Sequence, residues 1–159
     1  MRKISLLIAL VLLAVPVRSV AQAAARTPPY RLTLRAMLFY SDKGTFSPDI
    51  IARPVTLWNT VIGEGGAGGA SDATLVVAVV RGEGGSYVPN RRVELTVTAG
   101  GREIFRRAEE ASVLNSEGRA YVAFWLYGTG CRRLRLSARI LGQTPSTPIT
   151  AVIPFDCGE

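Results

Sequence analysis

Apolar and polar positions alternate along most of the chain from Tyr30 onward. In RLTLRAMLFY, Leu32, Leu34, Ala36, Leu38 and Tyr40 fall on one face of an extended segment, with Arg31, Thr33 and Arg35 on the other. A period of two over this length predicts a half-buried strand. Arg91–Ala99 repeats the pattern, with Val93, Leu95 and Val97 inward and Glu94, Thr96 and Thr98 outward. So does Arg132–Leu141, where Leu134, Leu136, Ala138 and Ile140 oppose Arg133, Arg135, Ser137 and Arg139. Ala73–Arg81 (ATLVVAVVR) is almost continuously apolar and β-branched, as a central strand requires. Arg119–Tyr127 (RAYVAFWLY) is apolar on both faces, and Val55–Ile62, Arg102–Ala108 and Ile149–Phe155 complete about eight predicted strands.

Turn chemistry separates these runs. SDKGTFSPD (Ser41–Asp49), Gly82–Asn90 and QTPSTP (Gln143–Pro148) are rich in turn formers, and Gly100–Gly101 predicts a two-residue hairpin. GEGGAGGASD (63–72) invites a phosphate-loop reading, but no Gly-Lys-Ser/Thr ending and no helical pattern follow it. A mobile loop is expected there. Only Glu109–Leu114 resists assignment, and no amphipathic helix is predicted. Short strands at regular spacing imply an all-β sandwich filling residues 30–159 as a single domain.

The first 23 residues follow another pattern. Arg2 and Lys3 precede an apolar run from Ile4 to Val15, Pro16 breaks it, and Ser19, Ala21 and Ala23 offer small residues for cleavage. The twelve residues of that run make about 18 Å of helix, too short for a hydrocarbon core of roughly 30 Å. The pattern is that of a cleaved secretory signal peptide over 1–23, followed by a flexible leader over 24–29 (AARTPP). No cysteine near the cleavage region suggests a lipid anchor, so an exported bacterial protein without a transmembrane anchor is expected.

Charge and chemistry narrow the classes further. Loss of Arg2, Lys3 and Arg18 leaves a net charge of +4, a weak electrostatic footprint that, with export, argues against nucleic acid. Lys43 is the only lysine after the signal; arginine otherwise carries the positive charge. Histidine is absent. That removes the commonest general base and metal ligand, and with them serine–histidine catalysis and histidine-bearing metal sites. Glu109 and Glu110 would point to opposite faces of a strand, and Asp42 and Asp49 fit no calcium loop. The expectation is a protein without catalytic residues, metal or cofactor.

Cys131 and Cys157 form an even pair in an oxidising compartment, which predicts a disulfide. In an antiparallel hairpin of the last two strands, that pairing sets an index sum of 288, centred on Thr144. The same register puts Arg133 and Arg135 on the face of Ile153 and Phe155. A one-residue bulge near Pro154 would resolve the conflict.

Three stretches carry a resemblance. Thr74–Val97, NSEGRAYVAF (Asn115–Phe124) and GTGCRRLRLSARI (Gly128–Ile140) resemble the bacterial immunoglobulin-like domains of invasin, intimin and related surface proteins over about 74–155. The long segment Tyr30–Ile62 and the cysteine pair depart from that pattern, as in an exported family of the same architecture. The resemblance implies an immunoglobulin-like β-sandwich acting as a binding or spacer module.

Two surface constellations are candidates. Tyr121, Trp125 and Tyr127 share one face of their strand and could form a platform for sugar rings or a protein. The competing reading has Trp58 and its neighbours packed over them. Arg133, Arg135 and Arg139 form a basic stripe suited to anionic glycans or acidic proteins, or a solvated face without a partner. The leading expectation is an exported, non-enzymatic envelope protein, periplasmic or at the cell surface, that binds a protein or glycan. The alternative is a structural spacer or subunit of a surface assembly.

Overall fold

The computed structural model describes residues 30–53, 57–58, 68–129, 132–144 and 146–156. The signal segment 1–23, the leader 24–29, most of Val55–Ile62 and both Cys131 and Cys157 lie outside the described residues. Among those described there is no helix long and apolar enough to cross a membrane.

Ten strands follow in chain order: β1 (Arg31–Tyr40), β2 (Thr45–Phe46), β3 (Leu57–Trp58), β4 (Ala73–Arg81), β5 (Arg92–Ala99), β6 (Arg102–Glu110), β7 (Arg119–Tyr127), β8 (Leu134–Leu141), β9 (Ile149–Ile153) and β10 (Phe155–Asp156). One antiparallel sheet has the order β2-β1-β4-β7, and a second has the order β6-β5-β8-β9. β3 and β10 form a small parallel pair. The chain changes sheet between β4 and β5, returns at β7 and crosses again to β8. Seven of the eight predicted strands are thus long elements; the eighth, Val55–Ile62, is described only at its two-residue β3.

One core lies between the four-stranded sheets. Ala36, Leu38, Val76, Val80, Val122 and Phe124 face Val93, Leu95, Leu134, Leu136 and Ile153, all at most 4% exposed. Each belongs to the inward set of its strand's alternation. Phe105 reaches in from β6 and meets Phe124 edge-on at 6.4 Å. The β8–β9 register pairs Leu134 with Ile153 and Arg135 with Val152, an index sum of 287 rather than 288. Ile153 and Phe155 are both buried, so the conflict does not arise, and the last strand is interrupted at Pro154, between β9 and β10.

A buried arginine closes one end of the sandwich. Arg91 is 2% exposed. Its Nε and Nη2 donate to the carbonyls of Ala111 (2.6 Å) and Ser112 (3.1 Å), and its guanidinium stacks on Tyr30 at 4.1 Å. These contacts tie the β6–β7 connection to the starts of β5 and β1.

Candidate functional site

The site is set by β7. Val122, Phe124 and Leu126 go into the core, which leaves Tyr121, Ala123, Trp125 and Tyr127 on the outer face of the sheet. Register supplies their neighbours. Trp125 lies across from Leu75 of β4, and Leu75 across from Met37 of β1. Tyr127 lies across from Ala73, Ala73 from Phe39, and Phe39 from Phe46 of β2.

The rings form one cluster. Phe39 is 5.2 Å from Phe46 and meets Trp125 edge-on at 5.9 Å; Phe46 is 6.0 Å from Trp125. Tyr127 stacks beside Trp125 at 6.3 Å with only 15° between their planes. Such edge and offset contacts suit the ring quadrupoles, yet they fix only the lateral neighbours. Phe46, Trp125 and Tyr127 remain 45%, 38% and 70% exposed, and Tyr121 is 55% exposed. A sandwich sheet needs one apolar face, so this second one is surplus to the core. The segment expected to cover it is described only at Leu57–Trp58, whose backbone pairs with β10 rather than with β7.

Sequence reasoning grouped Tyr121, Trp125 and Tyr127 correctly but missed Met37, Phe39 and Phe46. A signal was present on β1: Met37 and Phe39 continue the odd-numbered face of Arg31, Thr33 and Arg35. Phe46 sits in a run that reads as a turn. A tight reversal, with Lys43 N and Gly44 N donating to the Tyr40 carbonyl at 3.2 and 2.8 Å, brings it back beside Phe39. The end of the glycine-rich segment is anchored here too. Gly68 N donates to the Tyr40 hydroxyl at 2.9 Å, and Lys43 Nζ donates to the Gly68 carbonyl.

The predicted arginine stripe lies on the opposite side of the molecule, in the other sheet, and is not uniformly available. Arg139 Nη2 is 2.8 Å from Glu94, which also lies 4.0 Å from Arg106. Arg135 is exposed between Thr98 and Val152, while Arg133 is exposed but precedes β8. The aromatic and arginine candidates therefore cannot form a single surface.

Two of the acidic side chains weighed in the sequence, Asp49 and Glu109, are engaged structurally. Asp49 Oδ1 accepts from the backbone N–H groups of Ala36 and Ile51, each at 3.1 Å, and its Oδ2 lies 3.4 Å from Arg35. Glu109 pairs with Arg107 at 2.5 Å. Among the described residues no group of three or more acidic, cysteine or histidine side chains could hold a metal ion. Comparison with known proteins finds no protein-family model that matches the chain and no curated protein that matches its sequence.

Proposed function

We propose that the chain is an exported, non-enzymatic, immunoglobulin-like module of the bacterial envelope that binds a protein or glycan through the outer face of the β2-β1-β4-β7 sheet. The observation that carries this reading is the exposed cluster of Phe46, Trp125 and Tyr127 on a face the core does not use. Aromatic side chains supply large contact area at small entropic cost, and exposed apolar patches mark interaction surfaces. The strand succession supports the immunoglobulin-like assignment. In chain order, the long strands divide as A-B-E (β1, β4, β7) and C′-C-F-G (β6, β5, β8, β9), with C′ joining the G-F-C sheet as in variable-type domains. The resemblance over 74–155 and the signal-like residues 1–23 support the envelope setting. A bridge between Cys131 and Cys157 belongs to the same reading, and the intact mass of exported protein before and after reduction with alkylation tests it.

The function itself is tested by screening the mature chain on a glycan array and against purified envelope proteins, beside Trp125→Ala and Tyr127→Ala. The expected result is a ligand whose binding falls at least about tenfold in both variants while folding is retained, a loss typical of central aromatic contacts. A wild-type chain that binds nothing favours the spacer.

A further inference from the structure

The aromatic cluster occupies only one end of its face. At the other end the register places Arg31 opposite Arg81, and Arg81 opposite Arg119, on three adjacent strands. All three share the outward set: Arg31 with Phe39, Arg81 with Leu75, Arg119 with Trp125. Strands lie about 4.8 Å apart, so the row is roughly 10 Å wide at the backbone. Like charges directly opposite one another destabilise a sheet. The recorded acidic contact in this row is Glu117, 3.4 Å from Arg119, whose guanidinium also approaches the Tyr121 hydroxyl at 3.5 Å. Among the described residues no carboxylate pairs with Arg31 or Arg81. The row is thus built at a cost, from the side chain whose planar fork best matches carboxylate, phosphate and sulfate groups.

Between the two ends runs a lane. Val77 and Val79 of the central strand form its floor, largely covered, while Arg35 stands on the β1 side and Tyr121 on the β7 side. Arg35 is already paired with Asp49. From Arg81 to Leu75 is six residues of strand, about 20 Å. A ligand that satisfies both ends must be elongated, carry repeated anionic groups, and present flat apolar faces to the nearly parallel rings of Trp125 and Tyr127. We propose that this face takes an acidic polysaccharide, its anionic groups on the Arg31–Arg81–Arg119 row and its sugar rings over the aromatic end. The proposal rests on the aromatic-face reading above and adds the ligand class to it. Folded acidic proteins and anionic membranes share the charge but do not repeat ring faces and anions along one line.

The test measures binding of the full mature chain to alginate, a polyuronate, to heparin, a sulfated polymer, and to neutral dextran. Binding to at least one acidic polymer is expected, weakening at least about tenfold as salt rises from roughly 50 to 500 mM. A triple variant, Arg31→Gln with Arg81→Gln and Arg119→Gln, should weaken it at least tenfold, and Trp125→Ala should weaken it separately. In the free protein Arg81→Gln alone should raise Tm by about 1–4 °C, because it relieves repulsion. A lower Tm would show that Arg81 is a structural residue and overturn the premise. Dextran bound as tightly as the acidic polymers, with the triple variant unaffected, overturns the acidic ligand and leaves the aromatic-face reading standing. Acidic-polymer binding lost in the triple variant but untouched by Trp125→Ala overturns the aromatic-face reading, and the joint proposal with it. No binding to either acidic polymer overturns the proposal, as does binding only to phosphatidylglycerol vesicles.

Discussion

Among the described glycines, Gly118 has the least room for a side chain. It closes the Asn115–Gly118 turn at φ +73°, and the Asn115 side chain accepts from Glu117 N (3.1 Å) and Arg119 N (2.8 Å). A Cβ on Gly118 would collide with the Gly82 carbonyl, because the turn docks on the Gly82–Gly85 loop through Gly82 N to Gly118 O (2.9 Å) and Gly85 N to Asn115 O (2.8 Å). Gly85 also has positive φ, +69°, but open space where its Cβ would go. Gly85→Ala should therefore cost about 1–2 kcal/mol, the left-handed penalty alone. Gly118→Ala should cost about 2–4 kcal/mol, since backbone must also move. Urea unfolding of the two variants separates them; equal midpoints would show that the docked loops relax freely. The turn chemistry of Asn115–Gly118 was legible in the sequence. Its docking partner was not, because two loops some thirty residues apart meet only once the sheets are stacked. Arg91 has the same history. Its parity with Val93 pointed it inward, but nothing local showed that Tyr30 and two carbonyls would receive it.

At the level of elements, hairpins behaved as their turns predict and registers followed burial. Gly100 and Gly101 take φ of +55° and +79°, the two positive values a two-residue type I′ turn needs, and Ala99 pairs with Arg102. Just beyond, the register slips between Val97 and Thr98, leaving Ile104 41% exposed on the edge strand β6. That edge carries Arg102, Glu103, Arg106, Arg107, Glu109 and Glu110, charges that discourage pairing with another sheet. Within it, the Arg106 side chain holds the Glu103 carboxyl below its ordinary pKa through their hydrogen bond. A depressed folded-state pKa contributes stability that is present above the unfolded carboxylate pKa and lost as pH falls through the folded value. NMR titration should show the Glu103 midpoint rising toward the ordinary glutamate value in Arg106→Ala; an unmoved midpoint would mean that the pair does not persist in solution. The β8–β9 register teaches the complementary lesson. The cysteines set an index sum of 288 at the strand ends, whereas Leu134 and Ile153 pair at 287, before the interruption at Pro154; Ile153 thereby faces the core, and a one-residue slip there would turn it to solvent. The outward set of β1 was readable by the same parity, yet Met37 and Phe39 acquire meaning only when β7 lies two strands away.

For the whole molecule, the two outer faces are unlike, and that difference is its main functional signal. On the β6-β5-β8-β9 sheet, Thr96, Ser137 and Thr150 alternate with the Glu94–Arg139 pair, as a solvated sheet surface should. On the other sheet, Leu75, Phe46, Trp125 and Tyr127 interrupt that rule at one end, and three opposed arginines at the other. Both departures lie on the same side and neither serves the core, so stability selection alone does not account for them. If the aromatic end is open in solution, it should dominate the protein's hydrophobic behaviour. Tyr127→Glu should then shorten retention on a hydrophobic-interaction column and reduce binding of an apolar dye. Thr150→Glu, at an exposed position of the opposite face, should change neither. Stability should shift by no more than about 0.5 kcal/mol in Thr150→Glu, a solvent-facing change, and fall by about 0.5–1.5 kcal/mol in Tyr127→Glu, which loses its stacking on Trp125. Retention unchanged by Tyr127→Glu would show that the ring is covered in the folded chain. The aromatic end would then be an internal contact, and Trp125→Ala would act by loosening it rather than by removing a ligand.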